Sequence, residues 1–213
     1  MEREAVLRRY RYLRAISMRH HHAALKFLAR PVIVEHARRL GMTAGQTLIA
    51  NNEEELTLIF DLAIYTASEG RSRAIDRYAK AVRLPPDSDE IVMLQAMCRA
   101  RFSIWRIDRR HDTCGLLVSD LLGQAEAWLV DEGLEASGPP GMCFASRLHD
   151  ADVFAITNGV IVPVDRSMLE DVLSDVVACR HSDPKRVGDD PRFASAIYRA
   201  ALDCGIMEQV VFN

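Results

Sequence analysis

From residue 2 to residue 29 the apolar positions Val6, Tyr10, Leu13, Ala24, Phe27 and Leu28 gather on one side of a helix, and Arg8, Arg11, Arg19, His22 and Lys26 on the other. The spacing predicts a long amphipathic helix with a basic face. Pro31 ends or restarts it, since proline has no N–H to donate and disfavours helical geometry in the residue before it. A short helix over 32–40 follows, stopped by Gly41. After a connector at 42–52, Asn51 or Asn52 can cap a helix that begins with Glu53, Glu54 and Glu55 and carries the stripe Leu56, Ile59, Phe60, Ala63, Ile64 and Ala67. Gly70 closes it. Ile75, Tyr78, Ala79 and Val82 mark a further short helix, and Asp87-Ser88-Asp89-Glu90 opens another that buries Ile91, Leu94, Met97 and Cys98.

Beyond residue 101 the pattern changes to short apolar runs separated by turn residues. Strands are predicted over 102–108, 115–121, 126–131, 142–148 and 153–157, with a sixth at 160–164. Pro139-Pro140-Gly141 suits a type II turn and Asn158-Gly159 a two-residue hairpin. No helical pattern separates these strands, which favours an antiparallel meander or small barrel over a parallel sheet. Ser167-Met168-Leu169-Glu170 reads as a capping box opening a helix with Leu169, Val172, Leu173, Val176 and Val177. A polar loop at 181–190 leads to a final helix with Pro191 in its first turn and Gly205 at its end, and an apolar tail over 206–212 packs back. The expected fold is therefore α+β: a helical N-terminal half (1–101), a small antiparallel β-barrel-like sheet (102–165) and C-terminal helices packing back (166–213), in one integrated globular unit.

Composition supports an ordinary globular chain, with 213 residues, 49% of them hydrophobic and 27% charged. No apolar run approaches the roughly 20 residues that span a bilayer. The start lacks a secretory h-region and cleavage site, so a cytoplasmic location is expected. Five widely spaced cysteines read as buried thiols, and Cys179-Arg180-His181 offers two ligands where a structural zinc site needs four, so neither metal nor cofactor is expected. Charge is uneven: residues 1–40 carry about +7 and the rest about −10. Such asymmetry marks either an anion-binding arm or a helix packed on its own acidic body.

The runs Gly115-Leu116-Leu117-Val118-Ser119-Asp120-Leu121-Leu122, Trp128-Leu129-Val130-Asp131 and 140–148 (PGMCFASRL), with Leu58-Ile59-Phe60-Asp61-Leu62-Ala63-Ile64-Tyr65 upstream, resemble a bacterial family of unassigned function. Some longer members end in a SEC-C-type Cys/His zinc knuckle. The likeness covers roughly residues 20–165, and the knuckle is absent here. The resemblance implies kinship without an activity.

Few constellations carry chemistry. His20-His21-His22 cannot grip one ion, because successive helical residues point about 100° apart. The basic face with Arg8, Arg11, Arg19 and Lys26 is the candidate nucleic-acid or anion site, since guanidinium forks suit phosphates. Against it stands the mildly acidic whole. Asp120, Asp131 and Arg147 lie in or beside predicted strands, either as cross-strand pairs or as a polar site on the sheet. Asp108 to Asp112 places acids, bases and His111 in one turn, more in the manner of a polar loop than a general acid/base site. Trp105 and Trp128 read first as core and second as a stacking platform.

With no serine elbow, Cys/His arrangement or phosphate loop, the leading expectation is a non-catalytic binding or adaptor module. Its partner would be another protein or a second copy. Nucleic-acid binding through the first helix is the alternative. The third is an enzyme gathering residues such as Asp108, His111 and Arg147 in an unfamiliar pocket.

Overall fold

A computed structural model describes residues 2–67, 70–177, 187–188 and 190–206. In chain order the elements are α1 (Arg3–Leu25), α2 (Arg30–Arg39), β1 (Thr43–Ala44), β2 (Thr47–Leu48), α3 (Glu53–Tyr65), α4 (Ala74–Ala81), α5 (Asp89–Cys98), β3 (Arg101–Arg110), β4 (Leu116–Asp120), β5 (Glu126–Leu129), α6 (Glu132–Ser137), β6 (Cys143–Ala151), β7 (Phe154–Thr157), β8 (Val162–Pro163), α7 (Arg166–Val177) and α8 (Pro191–Asp203). The fold is α+β, as expected. The chain forms two compact units, one from residues 2–20 and 83–164, the other from 21–82 with the described residues from 165 to 206.

The first unit is built on a five-stranded barrel. Its strands run in the order β3-β4-β5-β7-β6, and β6 closes onto β3 through the register Arg101↔Leu148 to Arg106↔Cys143. All neighbours are antiparallel except β5 and β7, which run parallel at Leu129↔Ala155. One parallel pair thus interrupts the expected antiparallel sheet. With α6 between its third and fourth strands, this is the connectivity of an OB-type Greek-key barrel. Alternate residues turn inward and fill the interior, among them Trp105, Ile107, Leu116, Val118, Leu129, Phe144 and Leu148, with Leu134 of α6 packed on them. A register shift at Asp108 bends β3, the kink a small barrel needs to curl.

Local chemistry explains the joints. Gly115 adopts φ +74° directly against the backbone of Leu129 and Val130, where a Cβ would collide. At 139–142 the type II turn forms as predicted: Gly141 takes φ +86° and the Met142 amide donates to the Pro139 carbonyl at 3.2 Å. Asn158-Gly159 is not a hairpin. β7 and β8 both pair with β6, at Ala151↔Phe154 to Leu148↔Thr157 and at Phe144↔Pro163 and Ala145↔Val162, so they follow one another along one edge. Gly159 with φ +102° provides the kink between them. The pattern fixed the turn residues, and long-range pairing decided what the turn joins. α6 escaped the sequence reading because it spans only Glu132–Ser137; its start is set by Asp131, whose carboxylate accepts from the Leu134 amide at 3.0 Å.

The second unit is helical. α3 is capped by Asn52, which accepts from the Glu55 amide at 2.8 Å while Glu55 accepts from the Asn51 amide at 2.7 Å. Leu58, Ile59, Leu62, Phe193 and Ile197 are fully buried. Within this core the Tyr198 hydroxyl donates to Asp61 at 2.9 Å. The connector between α2 and α3 contains the small hairpin β1–β2, which the sequence reading left irregular. α7 is capped by Asp165 rather than Ser167: its carboxylate accepts from the Met168 amide at 2.7 Å. Asp190 caps α8 with Pro191 in the first turn. The 181–190 loop falls mostly, and the 206–212 tail almost wholly, outside the described residues.

Candidate functional site

In the helical unit a cavity of about 700 Å³ opens between the starts of α2 and α4, lined by Phe27, Pro31, His36, Arg39, Arg71 and Arg77 among others. Two helix N-termini reach it. Ala29, Pro31 and Val32 come from the start of α2, and Ser72 and Ala74 from the start of α4. Neither N-cap residue, Ala29 or Arg73, makes a side-chain cap. α2 also has no acid in its first turn, so its partial positive charge is left to water or a ligand, whereas α4 carries Asp76 in its first turn.

The cations add to this. The Arg77 guanidinium donates to the carbonyls of Phe27, at 2.7 Å, and of Ser72. Its acceptors are therefore neutral, and its charge is held in place without being cancelled. Arg71 is exposed, and among the described residues neither it nor Arg77 has a carboxylate partner. The one acid among the described lining residues, Glu35, accepts from Arg38 at 2.7 Å and from Arg39 at 3.3 Å, so it is already paired. His36 is 5% exposed and its Nδ1 has no hydrogen-bond partner among the described residues. Burial, reinforced by Arg39, pushes its pKa down to about 4. A neutral imidazole thus stands in the wall of a positively charged cavity. Phe27, Pro31, Val32, Ala63, Ala67 and Ala74 make the apolar remainder.

None of these residues stood out as a site in the sequence, although two signals were there. Gly70-Arg71-Ser72-Arg73 places a flexible glycine and three small or basic residues just before a helix, and both helices begin without Ser, Thr, Asp or Asn at the cap.

The residues singled out in the sequence lie elsewhere. On α1, Arg11 donates to Glu132 at 2.6 and 3.0 Å and Arg19 lies 3.6 Å from Glu90. Their neighbours behave alike: Arg3 binds Glu135, Arg9 binds Asp89 and Asp152, and Arg14 donates to the Thr157 carbonyl. Arg8 and Lys26 are exposed. Asp120 accepts from the Leu122 and Gly123 amides at 2.9 and 2.8 Å and from the Ser103 hydroxyl, which holds the β4–β5 turn. Asp131 caps α6 and accepts from Thr157 at 3.1 Å. These two carboxylates sit at opposite ends of β5. Arg147 is buried with its guanidinium 5.2 Å from the centre of the Phe102 ring. The structure does not bring the three together.

Asp108 accepts from Ser119 and Arg106, while His111 stacks on Trp128 with ring centres 4.0 Å apart. Phe102, opposite Arg147, is six residues from Asp108 along β3, about 20 Å in an extended strand. Trp105 is in the barrel core. Trp128 is half-buried on the outside of β5, donating to the Cys114 carbonyl at 2.7 Å and meeting Phe154 edge-on at 5.8 Å. His20 donates from Nε2 to the Glu90 carbonyl at 2.9 Å, His21 shares a hydrogen bond with the Tyr65 hydroxyl at 2.7 Å and His22 is exposed, so the three imidazoles part as expected. Of the cysteines Cys114 is buried, but Cys98 and Cys143 are half-buried and Cys204 is exposed, which corrects the reading of all as buried. Cys179 and His181 lie outside the described residues. Among the described residues no group of three or more His, Cys, Asp or Glu side chains is placed to hold a metal ion, and no helix is long and apolar enough to cross a membrane.

Fold and cavity together define an α+β protein with a Greek-key barrel unit and a helical unit bearing a cation-lined pocket. The chain belongs to a family of unknown function, DUF7986, whose pattern matches residues 4–208. No curated protein and no solved structure matches it.

Proposed function

We propose that the protein is a non-catalytic, cytoplasmic bacterial binding module whose helical unit holds a small anionic ligand. The observation that carries this reading is the cavity of about 700 Å³ with Arg39, Arg71 and Arg77 in its wall and, among the described residues, a single acid that is already paired. Pockets for small molecules are typically about 300–1,000 Å³, a range this cavity falls in, and its lining mixes apolar side chains with a larger than usual share of polar and cationic ones. The liganded module would act by engaging a protein partner or a second copy. Calorimetric titration of the purified chain with small organic anions tests it: binding that weakens at least tenfold in Arg71→Ala is expected. Equal affinity in Arg71→Ala would remove the pocket from the account.

A second reading, nucleic-acid binding, is favoured by the OB-type strand order and by the Trp128–His111 stack on the outer face of β5. Its weakness is charge, because Arg11 and Arg19 are engaged with acids. It predicts salt-sensitive retention on single-stranded DNA, reduced in Trp128→Ala and Arg8→Ala. No retention at low salt would dismiss it.

A further inference from the structure

We infer that the pocket's ligand is an organic phosphomonoester, with its phosphoryl group at the start of α4 and its organic part along the Phe27 wall. The inference rests on the anion-pocket reading and narrows it to one chemistry. Arg71 and Ser72 immediately precede α4, and Arg77 lies one turn into it, with its guanidinium carried back to Ser72 by the bond to that carbonyl. Two guanidinium groups without a carboxylate partner among the described residues thus flank a helix start with no side-chain cap. Asp76, on the first turn of α4, does not compete for this position, because Arg73 binds it through two bonds of 2.7 Å.

Charge and donor number point to phosphate over carboxylate. A phosphomonoester carries about −1.5 to −2 charges near neutral pH and three strong acceptor oxygens. That matches two cations without a carboxylate partner among the described residues, beside a helix start with no side-chain cap, an arrangement suited to phosphate. A carboxylate has a single charge and two oxygens, and would leave one guanidinium and part of the amide set unmatched. The cavity is also far too large for inorganic phosphate. Phe27, Pro31, Val32 and Ala63 extend it with apolar surface, and Phe27 is itself fixed against Tyr78 with ring centres 5.7 Å apart. The second uncapped helix start, that of α2, borders the same space. His36 adds an independent observation: it lines the same cavity 95% buried, and its Nδ1 has no hydrogen-bond partner among the described residues. Such buried polar atoms ordinarily find a partner.

Isothermal titration of the full chain with phenyl phosphate, benzoate, inorganic phosphate and phenol separates the possibilities. Phenyl phosphate is expected to bind at least tenfold tighter than benzoate and than inorganic phosphate, with phenol silent. Arg71→Ala and Ser72→Asp, both at exposed positions, are expected to weaken phenyl phosphate at least tenfold, the second by putting a carboxylate where the phosphoryl group sits. Equal binding of benzoate and phenyl phosphate would overturn the phosphate assignment and leave an anion pocket standing. Inorganic phosphate as tight as phenyl phosphate would overturn the organic part. Absence of binding by all three anions, in a chain shown folded by circular dichroism, would overturn both this inference and the reading beneath it.

Discussion

Asp120 shows how a charged residue that catches the eye in a sequence can be consumed by structure. Its carboxylate accepts from two amides and a hydroxyl at the β4–β5 turn, where Gln124 is held at φ +57°. Removing it would leave three donors without an acceptor, and each such loss costs about 1–3 kcal/mol when buried. Asp120→Ala is therefore expected to lower unfolding free energy by at least about 2 kcal/mol in urea, with Asp120→Asn recovering part of it. A change below about 0.5 kcal/mol would contradict the role. The sequence could show that Asp120 lies beside a strand but not which donors surround it, since Ser103 reaches it only through the pairing of β3 with β4. The same applies to the pocket: Arg71 and Arg77 share it with Phe27 across some 50 residues of chain.

The basic helix α1 was legible as an element, and of the two readings of its basic face the ion pairs bear out packing on the protein's own acids at Arg9, Arg11 and Arg19. Its apolar stripe is buried, with Val6 at 0%, Leu13 at 3% and Tyr10 at 6% exposure, while its arginines meet the acids of α5, α6 and the β6–β7 turn. Exposed ion pairs contribute little, about 0–1 kcal/mol each, whereas truncating a buried leucine costs about 2–5 kcal/mol. Leu13→Ala is accordingly expected to destabilise the barrel unit several times more than Arg11→Ala in chemical denaturation. The reverse order would mean that charge, not burial, holds the helix. What periodicity could not supply was strand partnership: Asn158-Gly159 carries the residues of a hairpin, yet β7 and β8 share an edge of β6. Short elements such as α6 were also beyond it, because one and a half turns give too few positions for a period to emerge.

For the molecule as a whole, two histidines, one in each unit, set an acid limit. Burial pushes the pKa of His149 in the barrel unit and of His36 in the helical unit down to about 4, against about 6.5 in an unfolded chain. Between those values the unfolded state takes up protons that the folded state refuses, so stability is greatest above pH 6.5 and falls as pH drops toward 4. Below that, Asp89 and Glu132, both held low chiefly by hydrogen bonds from arginines, lose their stabilising charge in the same direction. Thermal unfolding is expected to change little between pH 7.5 and 7 and to shift downward as pH falls through about 6.5 to 5, with the slope reduced in His149→Leu; a flat profile down to pH 5 would contradict neutral burial. The central claim is that the helical unit is a built anion pocket, and titration calorimetry of phenyl phosphate against the wild-type chain and Arg71→Ala tests it most directly. One site per chain is expected, with at least a tenfold loss in the variant; saturable binding of equal strength to both proteins would rule the pocket out as the binding site.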